Sequence, residues 1–198
     1  PKSQRRKKKG KEDLPHEKDQ YNFTDPESSI MKTRGTFEQC YNAQAAVDSE
    51  SQVIVAQTVT NAPHDLEQLT GLIEDIAKHL GKLPNEASAD AGYFTDENLK
   101  FLEQKKINAY IAPGREGKTS QAQPPTDSLK AQMIRKIRLA GHRSRYRLRK
   151  QIVEPIFGQI KQARGFRQFL RRGLTRVKHE WSLVCTANNL LKLAAAQL

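Results

Sequence analysis

The stretch Gln52-Val-Ile-Val-Ala-Gln-Thr-Val-Thr60 decides the fold class, because it predicts a buried strand that opens an alternation of strands and helices. Valines dominate one face and Ile or Ala the other, so both faces are apolar, as in a strand inside a sheet. Just before it, Tyr41-Asn-Ala-Gln-Ala-Ala-Val47 predicts a partner strand. The polar residues 48–51 between them have the length of a hairpin connection. The core of the fold therefore begins with a β-hairpin.

After the hairpin, helices and strands alternate up to Ala112. Apolar residues recur at intervals of three and four between Leu66 and Leu80, which predicts a helix with one core-facing stripe. Glu86-Ala-Ser-Ala-Asp90 is short and small-residued, as expected for a buried strand. Thr95 or Asp96 then caps a second helix, and residues 107–112 predict another strand. This alternation is typical of an α/β sheet, and no strand is expected before the hairpin.

The charge of the chain is unevenly distributed. A net charge of +12 and a pI near 9.8 indicate a polyanionic partner. The charged residues 1–20 contain almost no large apolar side chain, which predicts a basic disordered linker before a single domain at 21–198. Residues 113–130 are rich in Pro, Gly and polar side chains and predict a flexible connection. The acids are concentrated in the middle of the chain, and the Lys and Arg residues near its two ends.

The two cysteines, Cys40 and Cys185, lie far apart and without paired spacing. This pattern argues against a disulfide framework and a zinc site, and predicts two buried thiols. No apolar run approaches the roughly 20 residues that span a bilayer, and no signal-peptide pattern opens the chain. We therefore expect a cytoplasmic protein with no membrane partner.

Glu154 is the only carboxylate between Arg135 and Lys178, among fifteen Lys or Arg residues. It lies on a predicted helix, where Pro155 can bend the backbone and Lys150 projects from the same face. Such an acid is either a salt-bridge or helix-dipole partner or a metal ligand beside a nucleic-acid backbone.

Asp90 and the basic segment further along allow two interpretations each. Asp90 before Ala-Gly is either a turn former or a ligand-binding residue at the carboxyl end of a strand. The stretch Phe166-Arg-Gln-Phe-Leu-Arg-Arg-Gly173 suits a nucleic-acid backbone, or is a solvated loop pinned by its Phe residues. Its phosphate-binding candidates are Arg167, Arg171 and Arg172. The last helix predicts a core stripe of Trp181, Val184, Ala187, Leu190, Leu191 and Ala194.

Five stretches, taken in order, carry a family resemblance that spans residues 22–193. They are Asn22-Phe-Thr-Asp-Pro-Glu-Ser28, Tyr41-Asn-Ala-Gln-Ala-Ala-Val-Asp48, Ala89-Asp-Ala-Gly-Tyr93, Val153-Glu-Pro-Ile-Phe-Gly158 with Lys161, and Ala187-Asn-Asn-Leu-Leu-Lys192. In this order they resemble the catalytic domain of bacterial insertion-sequence transposases of the DDE type. The closer resemblance is to the group with a tyrosine, arginine, glutamate, lysine signature.

This resemblance implies an α/β fold of the RNase-H type, a mixed sheet flanked by helices. It implies three carboxylates that hold two Mg²⁺ ions, with Mn²⁺ as the alternative ion, for DNA cleavage and strand transfer at insertion-sequence ends. Asp90 matches the second acid and Glu154 the third. The partners implied are terminal-repeat and target DNA in the bacterial nucleoid, bound by a homo-oligomer.

The signature also assigns DNA-binding residues. Lys161 matches the signature lysine, which is expected to bind phosphate at the transposon end. Tyr146 and Arg149 correspond to the tyrosine and arginine, although four residues separate Arg149 from Glu154 where the family usually has three. Lys150 completes this basic helix face. The expected DNA-binding set is therefore Tyr146, Arg149, Lys150, Lys161, Arg167, Arg171 and Arg172.

The first acid of such a site belongs on a first strand that precedes the hairpin. Asp25 lies in a predicted turn, and Asp48 lies in the hairpin connection, where it is at most a substitute. We infer that the first strand and its acid lie upstream in a longer transposase, and that this fragment is impaired or inactive alone. The alternatives are a noncatalytic DNA-binding module and another RNase-H-like nuclease, such as a resolvase.

Overall fold

The computed structural model describes residues 21–33, 35–113, 128–140 and 149–196. The predicted linker at 1–20 lies outside the described residues, as does 114–127 of the predicted connection. The described elements are β1 Ser29–Thr33, β2 Thr36–Cys40, β3 Asn42–Val47, β4 Ile54–Thr60, α1 Gln68–Leu80, β5 Glu86–Ala89, α2 Asp96–Gln104, β6 Asn108–Ile111, α3 Leu129–Ala140, α4 Arg149–Gly158 and α5 Leu174–Ala196.

The strands of the described chain form three separate pairs. β3 and β4 are antiparallel and confirm the predicted hairpin. β5 and β6 are parallel and joined through α2, whose first turn is capped by the Thr95 hydroxyl accepting from the Asn98 N–H at 3.1 Å. The mixed α/β class is thus confirmed, whereas a continuous RNase-H-like sheet stays a prediction.

A hairpin that the sequence did not predict precedes β3. β1 and β2 pair with each other in an antiparallel register, across a turn in which Gly35 has a φ of +96°. The expectation that no strand precedes the Tyr41–Thr60 hairpin was therefore wrong. The signal was missed because this hairpin buries little: Phe37 on β2 is 73% exposed, so its residues lack the apolar alternation of a core strand.

Helices cover both faces of the β3–β4 pair. On one side Ala46 and Ala56 pack with α1 in the cluster that also includes β5, β6 and α2. On the other side Ala45 and Val59 pack against α4 and α5, around Trp181. This pair therefore lies in the middle layer of an α/β/α arrangement.

Helix α5 packs against the β3–β4 pair through Trp181 and Val184, as predicted, but the rest of its buried face differs from the predicted stripe. Its buried residues are Val177, Trp181, Cys185 and Asn188. The last four residues of the predicted stripe are exposed, namely Ala187, Leu190, Leu191 and Ala194. Two hydrogen bonds help to orient α5 about its axis. The Asn189 side chain accepts from the Ile54 N–H at 2.9 Å and donates to the Ile54 carbonyl at 2.8 Å. The spacing of apolar residues in the sequence cannot reveal that Asn189 forms hydrogen bonds with a strand.

The two thiols differ in burial. Cys185 is buried, as predicted, and this burial raises its pKa to about 12. Cys40 is only half-buried, so the prediction of a second buried thiol was wrong. It ends β2, whose other residues are exposed, and neither core cluster of the described residues includes it.

The Asn22–Ser28 turn closes the N-terminus of α5. The Asp25 Oδ1 atom accepts from the Tyr41 hydroxyl at 2.7 Å and from the Gly173 N–H at 3.1 Å. The Glu27 Oε2 atom accepts from the Leu174 N–H at 2.9 Å. Two carboxylates thus satisfy backbone donors at the positive end of the helix. Burial and the bond to Asp25 raise the pKa of Tyr41.

Asp25→Ala is expected to lower the free energy of unfolding by about 1–3 kcal/mol, because the half-buried Tyr41 hydroxyl and the Gly173 N–H would lose their acceptor. Urea denaturation measures the change. Glu103→Ala, at an exposed site on α2, is the control and should stay within about 0.5 kcal/mol of the parent. Equal stability of the two variants would contradict the capping role.

Candidate functional site

Asp90 follows β5 directly, at the carboxyl end of the parallel strand pair. Its carbonyl accepts from the Tyr93 N–H at 3.1 Å and starts a short 3₁₀ turn at Ala91–Tyr93. The residue is exposed. A strand end fixed in this way holds the carboxylate at the sheet edge, where α/β folds bind ligands.

Asp65 lies beside the turn that follows Asp90, and its role was not predicted from the sequence. Its Oδ1 atom accepts from Asn42 Nδ2 at 2.6 Å and from Gln44 Nε2 at 2.7 Å. Its Oδ2 atom lies 2.8 Å from where a Cβ atom on Gly92 would be. Burial and the Asp65 charge together raise the pKa of Tyr93. The sequence carries a weaker signal for Asp65 than for Asp90, since Asp65 lies in the polar connection between β4 and α1, whereas Asp90 comes directly after β5.

Gly92→Ala is expected to lower the free energy of unfolding by about 1–3 kcal/mol, because the new methyl group would overlap an Asp65 carboxylate held by two hydrogen bonds. Gly71→Ala in α1 is the matched control, since nothing lies within 4 Å of its Cβ position. This control should raise stability by about 0.5–1 kcal/mol. Chemical denaturation measures the free energy of unfolding of both variants. A Gly92→Ala protein as stable as the parent would contradict the close contact.

Glu154 lies on α4, an exposed residue on a well-anchored helix. Ile156 is fully buried and Ile160 is 1% exposed, so the residues after Glu154 fix the helix to the sheet. Pro155 lies inside α4, and a π-helical turn at Gln159–Ala163 follows the helix. The Phe157 ring stacks on Trp181 at 5.8 Å between centroids. These contacts hold the Glu154 backbone in place.

One cleft of about 620 Å³ is lined by both Asp90 and Glu154. Four more acids line it, namely Asp48, Glu50, Asp65 and Glu86. Its described lining contains no Lys or Arg, although the chain carries a net charge of +12. Carboxylate oxygens are the ligands that hard divalent cations prefer. Among the described residues, no three acid, His or Cys side chains come close enough together to hold one metal ion.

Comparison with known protein families identifies the chain. Residues 6–190 match the family described as Transposase DDE domain. The chain belongs to this transposase family. Membership implies DNA cleavage, DNA transposition and DNA binding. Neither the curated proteins nor the solved structures contain a match to the chain. Within the described ranges, no helix is long and apolar enough to cross a membrane.

In this transposase domain, Asp48 also lines the cleft and has a turn-forming role. Its Oδ2 atom accepts from the Glu50 N–H at 3.1 Å, and from the Ser51 N–H and hydroxyl at 2.7 Å each. Hydrogen bonds from Ser51 hold its pKa below the usual value. One of its two oxygens is therefore already fully engaged by the hairpin connection.

The candidate DNA-binding residues of the transposase domain lie along its basic C-terminal third. The Lys161 ammonium lies 5.8 Å from the Phe157 ring centroid, and Arg167 donates to Gln162 Oε1 at 2.7 Å. Arg171 and Arg172 are exposed. Arg149 and Lys150 are the first residues of α4, and Tyr146 lies outside the described residues.

The loop that carries Arg167, Arg171 and Arg172 is held by two kinds of contact. Phe166 and Phe169 pack against the Trp181 cluster, and Glu180 accepts from the N–H groups of Leu170 and Arg171. Both interpretations of this segment are compatible with these contacts, because its aromatic residues are anchored while its guanidinium groups face outward.

Proposed function

We propose that this chain is the C-terminal part of the catalytic domain of a bacterial insertion-sequence transposase. Its activity would be to cut phosphodiester bonds at the ends of the element and to join the freed 3′ ends to target DNA. The observation that carries this proposal is the shared cleft, to which β5 contributes Asp90 and α4 contributes Glu154. Family membership supplies the reaction class.

Asp90 and Glu154 would hold Mg²⁺, with Mn²⁺ as the alternative ion, because both are exposed carboxylates on anchored backbone. When bound, such ions activate water or a 3′-hydroxyl and stabilise the leaving oxygen in an in-line displacement. The protein's contribution is to position the two acids. The parallel pairing of β5 fixes Asp90, and the buried Ile156 fixes the helix that carries Glu154.

A third carboxylate would complete this pair, and we propose that it comes from a strand upstream of Pro1 in a longer transposase. Asp48 is the weaker candidate, because its Oδ2 atom already accepts three hydrogen bonds. This fragment alone would then bind DNA but cleave it poorly or not at all.

The phosphate backbone of the transposon end would follow the basic surface beside the cleft. Lys161 lies about two turns after Glu154, in the π-helical turn that follows α4, and Arg167, Arg171 and Arg172 project from the anchored loop. Arg149 and Lys150, the first two residues of α4, and Tyr146, which lies outside the described residues, would belong to the same DNA-binding set through the family signature. Binding of terminal repeats and target by a homo-oligomer in the nucleoid completes the proposal.

Replacing Arg171 and Arg172 together by Ala is expected to weaken DNA binding about equally for all sequences, because phosphate contacts carry no sequence information. The slope of log K against log salt should become shallower by about 0.9 for each lost phosphate contact. Fluorescence anisotropy at several salt concentrations measures this. Lys100→Ala, on the exposed side of α2, should leave the slope unchanged. An unchanged slope in the double variant would contradict the proposed track.

A strand-transfer assay tests the function, using the full-length protein, Mg²⁺ and DNA that carries matching terminal repeats. Cleavage followed by joining supports a transposase. Cleavage without joining would indicate another nuclease of this fold, such as a resolvase. DNA binding without cleavage would indicate a noncatalytic module, and either of these results would overturn the proposal.

A further inference from the structure

Asp90 is the first residue beyond the strand ladder. The parallel pairing of β5 with β6 ends at Ala89, opposite Ile111. The position of the Asp90 carboxylate therefore depends on the turn that follows, as well as on the strand. This turn is a three-residue 3₁₀ helix at Ala91–Tyr93. Its hydrogen-bond geometry is poorer than that of an α-helix, so the turn needs support from other parts of the chain to keep one position.

The Asp65 carboxylate gives one such support. Its Oδ2 atom lies 2.8 Å from the position that a Cβ atom on Gly92 would take, so it lies directly against the backbone of the turn. Glycine at this position permits the close approach. The Asp65 Oδ1 atom accepts from the side-chain amides of Asn42 and Gln44 on β3, at 2.6 and 2.7 Å. One carboxylate thus joins the Asp90 turn to β3.

The Asn98 side chain on α2 gives a second support. It is 2% exposed, and its Nδ2 atom donates to the Leu66 carbonyl at 2.7 Å and to the Tyr93 carbonyl at 3.0 Å. Leu66 follows Asp65 directly, so the connection that carries Asp65 is bound to the turn a second time. A buried amide whose two N–H groups both have acceptors is costly to displace. The connection and the turn are therefore held together as one unit.

Strand β3 also supports the helix of the other acid. Its residues Ala45 and Val47 pack in the apolar cluster that includes Ile156, two residues after Glu154. Both sides of the cleft therefore share one support, because α4 packs on β3 and the Asp90 turn is joined to β3 through a carboxylate. The distance between the two acids depends on both contacts. A misplacement of about 1 Å can cost about a hundredfold in the rate of an enzyme.

We propose that Asp65 is a positioning residue, which sets the distance between the Asp90 and Glu154 carboxylates by holding the Asp90 turn on β3. The inference rests on the proposed function, because it gives Asp65 a role toward the cation that these two acids would bind. The Asp65 Oδ1 atom is occupied by two amide donors, so Asp65 acts through Asp90. Residues that orient metal ligands typically contribute about ten- to a hundredfold to metal affinity.

Two substitutions of Asp65 separate positioning from charge. Asp65→Asn removes the charge but keeps an oxygen that can accept from Asn42 and Gln44, whereas Asp65→Ala removes both the charge and the acceptor. Glu50→Gln is the matched charge control, because Glu50 lines the same cleft from the connection between β3 and β4. A positioning role predicts that Asp65→Ala is impaired, that Asp65→Asn is close to the parent, and that Glu50→Gln is unchanged.

Hydrogen–deuterium exchange of the 198-residue chain, without metal or DNA, measures how firmly the turn is held. We expect the amides of residues 91–95 to exchange about tenfold faster in Asp65→Ala and within about threefold of the parent in Asp65→Asn. If Asp65→Ala does not fold, Asn42→Ala removes one of the two donors and should speed the same amides by about threefold. Parental exchange in the variant that folds, or equal acceleration in Asp65→Ala and Asp65→Asn, would overturn the proposal.

Calorimetry with Mn²⁺ on the full-length protein tests the role toward the cation. Asp65→Ala should bind Mn²⁺ about tenfold or more weakly, while Asp65→Asn and Glu50→Gln should stay within about threefold of the parent. Equal losses in both Asp65 variants would indicate a charge effect and overturn the positioning role.

Strand transfer distinguishes failure of this inference from failure of the proposed function. Its single-turnover rate should fall in Asp65→Ala with unchanged affinity for terminal-repeat DNA, and Asp65→Asn should restore it. A parent that binds Mn²⁺ and transfers strands, with an Asp65→Ala variant that matches it, would overturn the positioning role alone. A parent that does neither would overturn the proposed function, and exchange at 91–95 would still show whether Asp65 holds the turn.

Discussion

Asp90→Asn and Glu154→Gln are each expected to slow strand transfer by the full-length transposase by about a hundredfold or more. A metal ion that loses a carboxylate ligand loses several kcal/mol of transition-state stabilisation, and each 1.36 kcal/mol is about a factor of ten in rate. The amide replacements keep the shape of the side chain and remove its charge. Affinity for terminal-repeat DNA should stay within about twofold, because the proposed metal ligands and the proposed phosphate-binding residues are different.

The measurement is the rate of joined product under single-turnover conditions, with DNA affinity determined in parallel. Glu97→Gln is the matched control, since Glu97 is an exposed acid on α2 outside the cleft, and it should transfer strands at the parental rate. Full activity in either cleft variant would remove that residue from the site.

Trp181→Ala has the largest expected effect on stability, a loss of about 3–5 kcal/mol. The side chain is 3% exposed, stacks on Phe157 and meets Phe169 edge-on at 6.4 Å. Its Nε1–H group also donates to the Gln44 carbonyl at 3.1 Å. Because Phe157 lies one turn after Glu154, loosening this cluster should also displace the acid.

Urea denaturation of three variants separates these contributions. Trp181→Phe keeps a ring and loses the indole donor, so we expect a smaller loss that includes about 1 kcal/mol for the hydrogen bond. Leu183→Ala lies on the same helix and is 69% exposed, so stability should change by less than about 0.5 kcal/mol. A Trp181→Ala protein as stable as Leu183→Ala would contradict a packed aromatic core.

The elements predicted from sequence are those with strong local periodicity. The strand at Ile54–Thr60 is apolar on both faces, and the helix at Gln68–Leu80 has a regular stripe, so each was found from its own residues. The β1–β2 hairpin was missed because it packs little, and its pattern carries no core signal. The buried face of α5 was predicted only in part, because Asn189 forms hydrogen bonds with the Ile54 backbone. These two residues are far apart in the sequence, so local patterns cannot predict the contact.

The candidate site could be predicted only where local sequence features mark its residues. Asp90 stood out by its place after a strand, and Glu154 by its isolation among cations. Asp65 lies in the connection between β4 and α1, and its role depends on Asn42, Gln44 and Gly92, which only the folded chain brings together. That Asp90 and Glu154 line one cleft is likewise a consequence of packing α4 against β3.

The central claim is that Asp90 and Glu154 bind the same divalent cation. Fe²⁺ with ascorbate and peroxide, in place of Mg²⁺, generates radicals at a bound metal and cuts the backbone nearby. We expect cuts beside both residues in the full-length protein, competed by Mg²⁺, and loss of both sets of cuts in the Asp90→Asn variant. Cuts beside Glu154 that survive Asp90→Asn, or cuts beside only one of the two acids, would contradict a shared ion.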